Sequence, residues 1–61
     1  MFIIKIKTPQ GETLYACEDL EFCKVKVGAK RFENRDLAEA RAALWRQDVT
    51  VANMVVTIEA A

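Results

Sequence analysis

Both cysteines and nine of the charged side chains of this chain fall within residues 17–35. Cys17 and Cys23, in CEDLEFC, have a spacing that suits neither a CxxC redox pair nor a zinc knuckle. In a reducing compartment they read as ordinary thiols that pack as small apolar side chains. Asp19 and Glu21 are neighbouring carboxylates on a link, and no nucleophile, base and orienting group accompany them. Histidine is absent, which removes imidazole base catalysis and His-ligated metal. Gly11 and Gly28 stand alone, so there is no glycine-rich phosphate loop. The expectation is a protein that is not an enzyme, with no metal and no cofactor.

Binding chemistry is better represented than catalysis. FCKVKVGAKRF, residues 22–32, alternates apolar and basic side chains and ends on Lys30, Arg31 and Phe32. From Lys24 to Arg35 there are five basic residues and one acidic one, whereas Glu12 to Glu21 holds four acidic residues and no basic one. Nine basic and nine acidic residues cancel overall, unlike the distinctly basic balance of dedicated nucleic-acid binders. A split of this kind orients a protein partner without making the whole molecule adhere to polyanions. The same charges can also pair with one another, where exposed pairs contribute only about 0–1 kcal/mol each.

The elements that must position these groups follow from periodicity. Phe2, Ile4 and Ile6 alternate with Ile3, Lys5 and Lys7, the period of two of a strand with one buried face. TPQGE then reverses the chain, with Pro9 presetting φ and Gly11 taking positive φ. TLYAC follows as a second strand, with Leu14 and Ala16 on one side and Thr13, Tyr15 and Cys17 on the other. A third strand is expected from Phe22 to Val27, with Cys23, Val25 and Val27 inward and Phe22, Lys24 and Lys26 outward; Gly28 lets it bend or end.

Asn34 suits an N-cap and Asp36 the first turn of a helix over Arg35 to Gln47. Leu37, Ala40 and Leu44 make its expected inward stripe, opposite Arg35, Glu39 and Arg46. Trp45 lies at the border of that stripe, either closing the core edge or standing out as an anchor, with Arg41 one turn away for a cation–π contact. From Val49 onward the β-branched segment VTVANMVVTIEA predicts a last strand with Met54, Val56 and Ile58 inward. The fold class is therefore α+β: a small curved antiparallel sheet, β-β-β-α-β in chain order, with one helix on one face and the other face uncovered.

Sixty-one residues make a single domain, residues 1–61, with a marginal core, so a staple or a partner subunit is a natural supplement. IIKIK and VANMVVTI are too short and interrupted to span a membrane, and Met1 to Lys7 lacks the layout of a signal peptide, which gives a cytoplasmic expectation. The parities assign two surfaces. Lys24, Lys26, Lys30, Arg31 and Arg35 steer a protein partner while Phe22 or Trp45 anchors it. Alternatively, Lys5, Lys7, Tyr15, Phe22, Lys24 and Lys26 on the bare sheet face bind single-stranded nucleic acid, or that face joins two copies. Outward lysines that only solvate a sheet and discourage edge pairing fit the same pattern.

KRFENRDLAEARAAL, residues 30–44, preceded by strands from the initiator methionine and followed by a valine-rich strand, resembles small phage and prophage proteins. That class includes inhibitors of bacterial defence machinery, anti-CRISPR proteins among them. The resemblance implies a non-enzymatic protein in the bacterial host cytoplasm that binds and inhibits or adapts a larger host complex.

Overall fold

The computed structural model describes residues 1–18, 21–47 and 53–61. Strands β1 (Phe2–Lys7), β2 (Thr13–Ala16) and β3 (Phe22–Cys23) precede helix α1 (Arg35–Gln47), and β4 (Val55–Ala60) follows it. The four strands form one antiparallel sheet in the order β3-β2-β1-β4. The α+β class and the chain order expected from periodicity are both present. Among the described residues no helix is long and apolar enough to cross a membrane. The expected strand residues 49–52 lie outside the described residues.

Local chemistry accounts for the turn and the cap. Gly11 donates to the Thr8 carbonyl at 2.9 Å, and Thr8 N–H closes the loop on Glu12 O at 2.8 Å. Gly11 has φ +88°, the left-handed position that follows a type I turn in a hairpin and that side chains with a Cβ resist. At the helix start Asn34 Oδ1 accepts from Leu37 N–H at 2.9 Å, satisfying an amide that has no carbonyl within the helix.

Ile4 and Ile6 on β1, Ala16 on β2 and Val56 on β4 meet Phe32, Ala38, Ala42 and Trp45 in one core, with Phe2, Leu14, Met54 and Ile58 packed around it. The parity expected for β1, β2 and β4 is thus the observed one. The helix, however, is turned. Ala38, Ala42 and Trp45 face the sheet, while Leu37 and Leu44 are 51% and 53% exposed and Ala40 is exposed. Two alanines let α1 lie close over the sheet, and the Trp45 indole, at 0% exposure, supplies the volume that they lack. Its ring meets Phe22 with centroids 4.8 Å apart. Trp45 therefore closes the core and is not an exposed anchor.

The third strand is also corrected. Ala16 pairs with Phe22 and Tyr15 with Cys23, so Phe22 shares the helix side with Ala16 and Cys23 points the other way. The strand ends at Cys23, and Lys26–Gly28 form a 3-10 turn. Val25 and Val27 are exposed, Val27 at 81%. The chain leaves the sheet edge because it must return to β1: Lys30 N–H donates to Ala16 O at 3.0 Å, and Phe2 and Phe32 exchange two hydrogen bonds of 2.8 Å.

On its way back the turn crosses the face opposite the helix. Lys26 reaches Glu59 of β4 at 3.4 Å, and Val27, Lys26 and Arg31 line a small cavity over Ile3. Ile3, on the supposedly bare face, is only 1% exposed. The cysteines are not separate thiols either. The hairpin brings their Cα atoms to 6.1 Å and joins them as a disulfide on that same face. The sulfurs lie 3.2 and 3.3 Å from the Gly28 carbonyl oxygen, and a Cβ on Gly28 would stand 3.1 Å from Cys23 Sγ. A side chain at position 28 would therefore crowd the disulfide by a few tenths of an ångström.

Candidate interaction surface

Turning the helix creates a groove. One wall is the exposed flank of α1, with Leu37, Ala40, Arg41 and Leu44; the other is the returning segment, Lys30 to Glu33. The groove is open to solvent and has a volume of ≈ 470 Å³. Phe32 turns its ring into the core, so its backbone and neighbours make the wall. Asn34 fixes the angle between the two walls, because its cap bond starts the helix immediately after the segment that pairs with Phe2.

The rim is predominantly cationic. Lys30 donates to Glu18 at 2.9 Å and stands over the Phe32 ring at 5.6 Å. The Lys30 hydrogen bond and charge, with a further contribution from Arg41, hold the Glu18 carboxyl below its ordinary value of 4.5. Arg31 lines both this groove and the small cavity over Ile3 on the opposite face. Arg31 and Arg41 make no ion pair with a carboxylate among the described residues. Glu33 is the acidic residue of the lining.

The cations singled out from the sequence do not converge. Lys24 is exposed beyond the end of β3, and Lys26 is bound to Glu59 across the face opposite the helix. Lys30 and Arg31 share the groove wall, whereas Arg35 lies on the outer helix surface, 3.8 Å from Glu39, which also meets Arg46 at 3.8 Å. Phe22, partly exposed, spends its inner surface on Trp45. Of the expected steering set only Lys30 and Arg31 share a wall; of the two expected aromatics Trp45 is buried and Phe22 keeps 41% of its surface exposed.

The alternative nucleic-acid face does not assemble. Lys5, Lys7 and Tyr15 do share the side opposite the helix, in the register Lys5 with Tyr15. Phe22 lies on the other side, Lys24 has left the sheet, and Lys26 reaches toward Glu59 in an exposed ion pair. A platform of successive rings flanked by cations is what sequence-tolerant base stacking needs, and Tyr15 alone does not provide it.

Sequence reasoning missed Arg41, Leu37 and Leu44 as surface residues. The available signal was that α1 carries two apolar rows, Leu37–Ala40–Leu44 and Ala38–Ala42–Trp45, where one sheet buries one row. Compared with protein-family models, curated proteins and solved structures, the chain matches none.

Proposed function

We propose that this chain is a non-enzymatic protein-interaction module, phage-encoded in type, that binds a larger bacterial complex such as a CRISPR-type defence complex and inhibits or adapts it. The observation that carries this reading is the row Leu37–Ala40–Leu44, left outside by a helix that already buries another row and flanked by Arg31 and Arg41. Fully covering a leucine is favourable by about 1.5–3 kcal/mol, so two half-exposed leucines leave an incentive for a partner of the order of one such burial. The partner that fits presents apolar side chains flanked by carboxylates. The two arginines raise its capture rate and fix its orientation, while the leucines set its residence time.

Action on a host complex places the protein in the bacterial cytoplasm. The Cys17–Cys23 bond is the feature that favours an oxidising compartment instead, since such bonds are rare in reducing cytosol.

Affinity capture from bacterial lysate, with and without nuclease treatment, tests the reading, using the natural chain, Leu37→Asp/Leu44→Asp, and Arg31→Glu/Arg41→Glu. One protein complex retained by the natural chain and lost from both variants supports it. Equal retention by all three forms removes the groove from the interaction, and material lost on nuclease treatment restores the nucleic-acid alternative.

A further inference from the structure

Independently of the groove, we infer that the outer edge of β4 pairs with β4 of a second copy of this chain, in antiparallel register centred on Ile58. Phe2 exchanges both its backbone bonds with Phe32, on the side of β1 away from β4. Alternation then turns Ile3, Lys5 and Lys7 toward β4, where they face Glu59, Thr57 and Val55. The Met1 carbonyl accepting from Ala61 N–H at 2.8 Å follows the same parity. Consequently Val56, Ile58 and Ala60 direct their N–H and C=O groups away from the sheet. The Arg46 guanidinium donating to Val56 O at 2.9 Å confirms that direction and occupies one of those carbonyls.

The two edges of the sheet are unlike. β3 is two residues long and is left at once for the 3-10 turn, which is one way an edge is kept from pairing. β4 is six residues, VVTIEA, with no proline, glycine or lysine and with Glu59 as its one charge. Among the described residues, Arg46 at the beginning of the strand is the one device found that blunts this edge.

Charge selects the register. With Ile58 opposite Ile58, Val56 faces Ala60 and each outward residue exchanges bonds with the second strand, while Thr57 faces the second copy's Glu59. Sliding by one residue pair toward the C-terminus sets Glu59 against Glu59, two like charges directly opposed, which is unfavourable. Sliding the other way leaves Ala60 opposite Met54, outside the strand, and loses bonds. In the selected register the twofold axis is perpendicular to the sheet, so both copies keep their apolar rows on the helix side and Ile58 extends the core across the junction. Arg46, about half exposed, releases Val56 O as the second strand arrives.

Sedimentation over a range of protein concentrations, with circular dichroism on each form, tests this. The natural chain is expected to dimerise. Ala60→Pro removes an outward N–H and no bond of the β1–β4 ladder, so it should fold and stay monomeric. Thr57→Glu should weaken the dimer about fivefold, and Thr57→Lys should strengthen it about as much, through two symmetry-related contacts with Glu59. Within one copy the order is reversed, because Thr57 lies opposite Lys5; fold stability and dimer affinity must therefore move in opposite directions. A natural chain that is monomeric at every concentration overturns the inference. So does a dimer that persists in folded Ala60→Pro or ignores both Thr57 changes; should Ala60→Pro fail to fold, the Thr57 pair decides.

Discussion

The Phe22 ring lies against the Trp45 indole with centroids 4.8 Å apart and planes inclined at 51°, joining the shortest strand to the end of the helix. This contact spans the helix side of the sheet from β3 and accounts for both inverted expectations, the turned helix and the flipped third strand. Trp45→Ala should cost about 3–5 kcal/mol. Trp45→Phe should cost far less, since the indole N–H has no acceptor among the described residues and its removal forfeits no hydrogen bond. Urea denaturation of the two variants, with Phe22→Ala to complete a cycle on the ring pair, measures both; a coupling of about 0.5–1.5 kcal/mol is expected.

The rotation of α1 is open to a substitution test that inverts the usual rule that leucine is inside. Leu37→Ala and Leu44→Ala should each change stability by no more than about 0.5–1 kcal/mol. Ala42→Leu, which forces volume between helix and sheet, should cost about 1–3 kcal/mol or more. Thermal melts reporting the opposite ranking would mean that the leucine row is the buried one.

Cys17 and Cys23 close a short loop, so their bond narrows the unfolded ensemble by a modest amount. Reduction, or Cys17→Ser/Cys23→Ser, should lower stability by about 2 kcal/mol, the small-loop end of the disulfide range. Thiol titration of protein purified without reductant should find no free thiol until it is denatured with a reducing agent. Two thiols reacting in the folded state would remove the bond.

The Glu18–Lys30 pair predicts a pH effect with a definite sign. The folded carboxyl is lowered relative to the unfolded one, so its contribution is complete above the unfolded value near 4.5 and disappears as pH falls through the lowered folded value. The group is solvent-exposed, and salt screening should flatten the effect. Chemical denaturation midpoints followed downward from pH 5 should decline less steeply for Lys30→Met than for the natural chain. Parallel curves would show that the pair is not formed in solution.

Gly11 offers a backbone test. Nothing stands within 4 Å of an added Cβ there, so any penalty comes from φ +88° alone. Gly11→Ala should destabilise by about 1 kcal/mol. A neutral result would mean that the loop accepts another turn geometry.

Residues with one consistent local signal were legible in the sequence. Alternation placed Phe2, Ile4 and Ile6 inward without ambiguity, Gly11 marked the left-handed turn, and Asn34 marked the helix start. α1 was legible in extent and illegible in rotation, because Leu37–Ala40–Leu44 and Ala38–Ala42–Trp45 both satisfy the helical period. Phe22 and Val25 posed the same problem in the third strand, where either parity buries an apolar side chain.

By itself the sequence determined where strands, turn and helix would form, since alternation, glycine and capping act within a few residues of one another. Tertiary structure decided which of two equally periodic rows turned inward. It did so through volume, with Ala38 and Ala42 admitting the helix to a sheet whose remaining space only Trp45 could fill. That choice left Leu37 and Leu44 beside Arg31 and Arg41, and carried residues 24–28 over Ile3 once Phe32 had to meet Phe2. Such surfaces depend on packing between residues far apart in the chain, which no local pattern encodes.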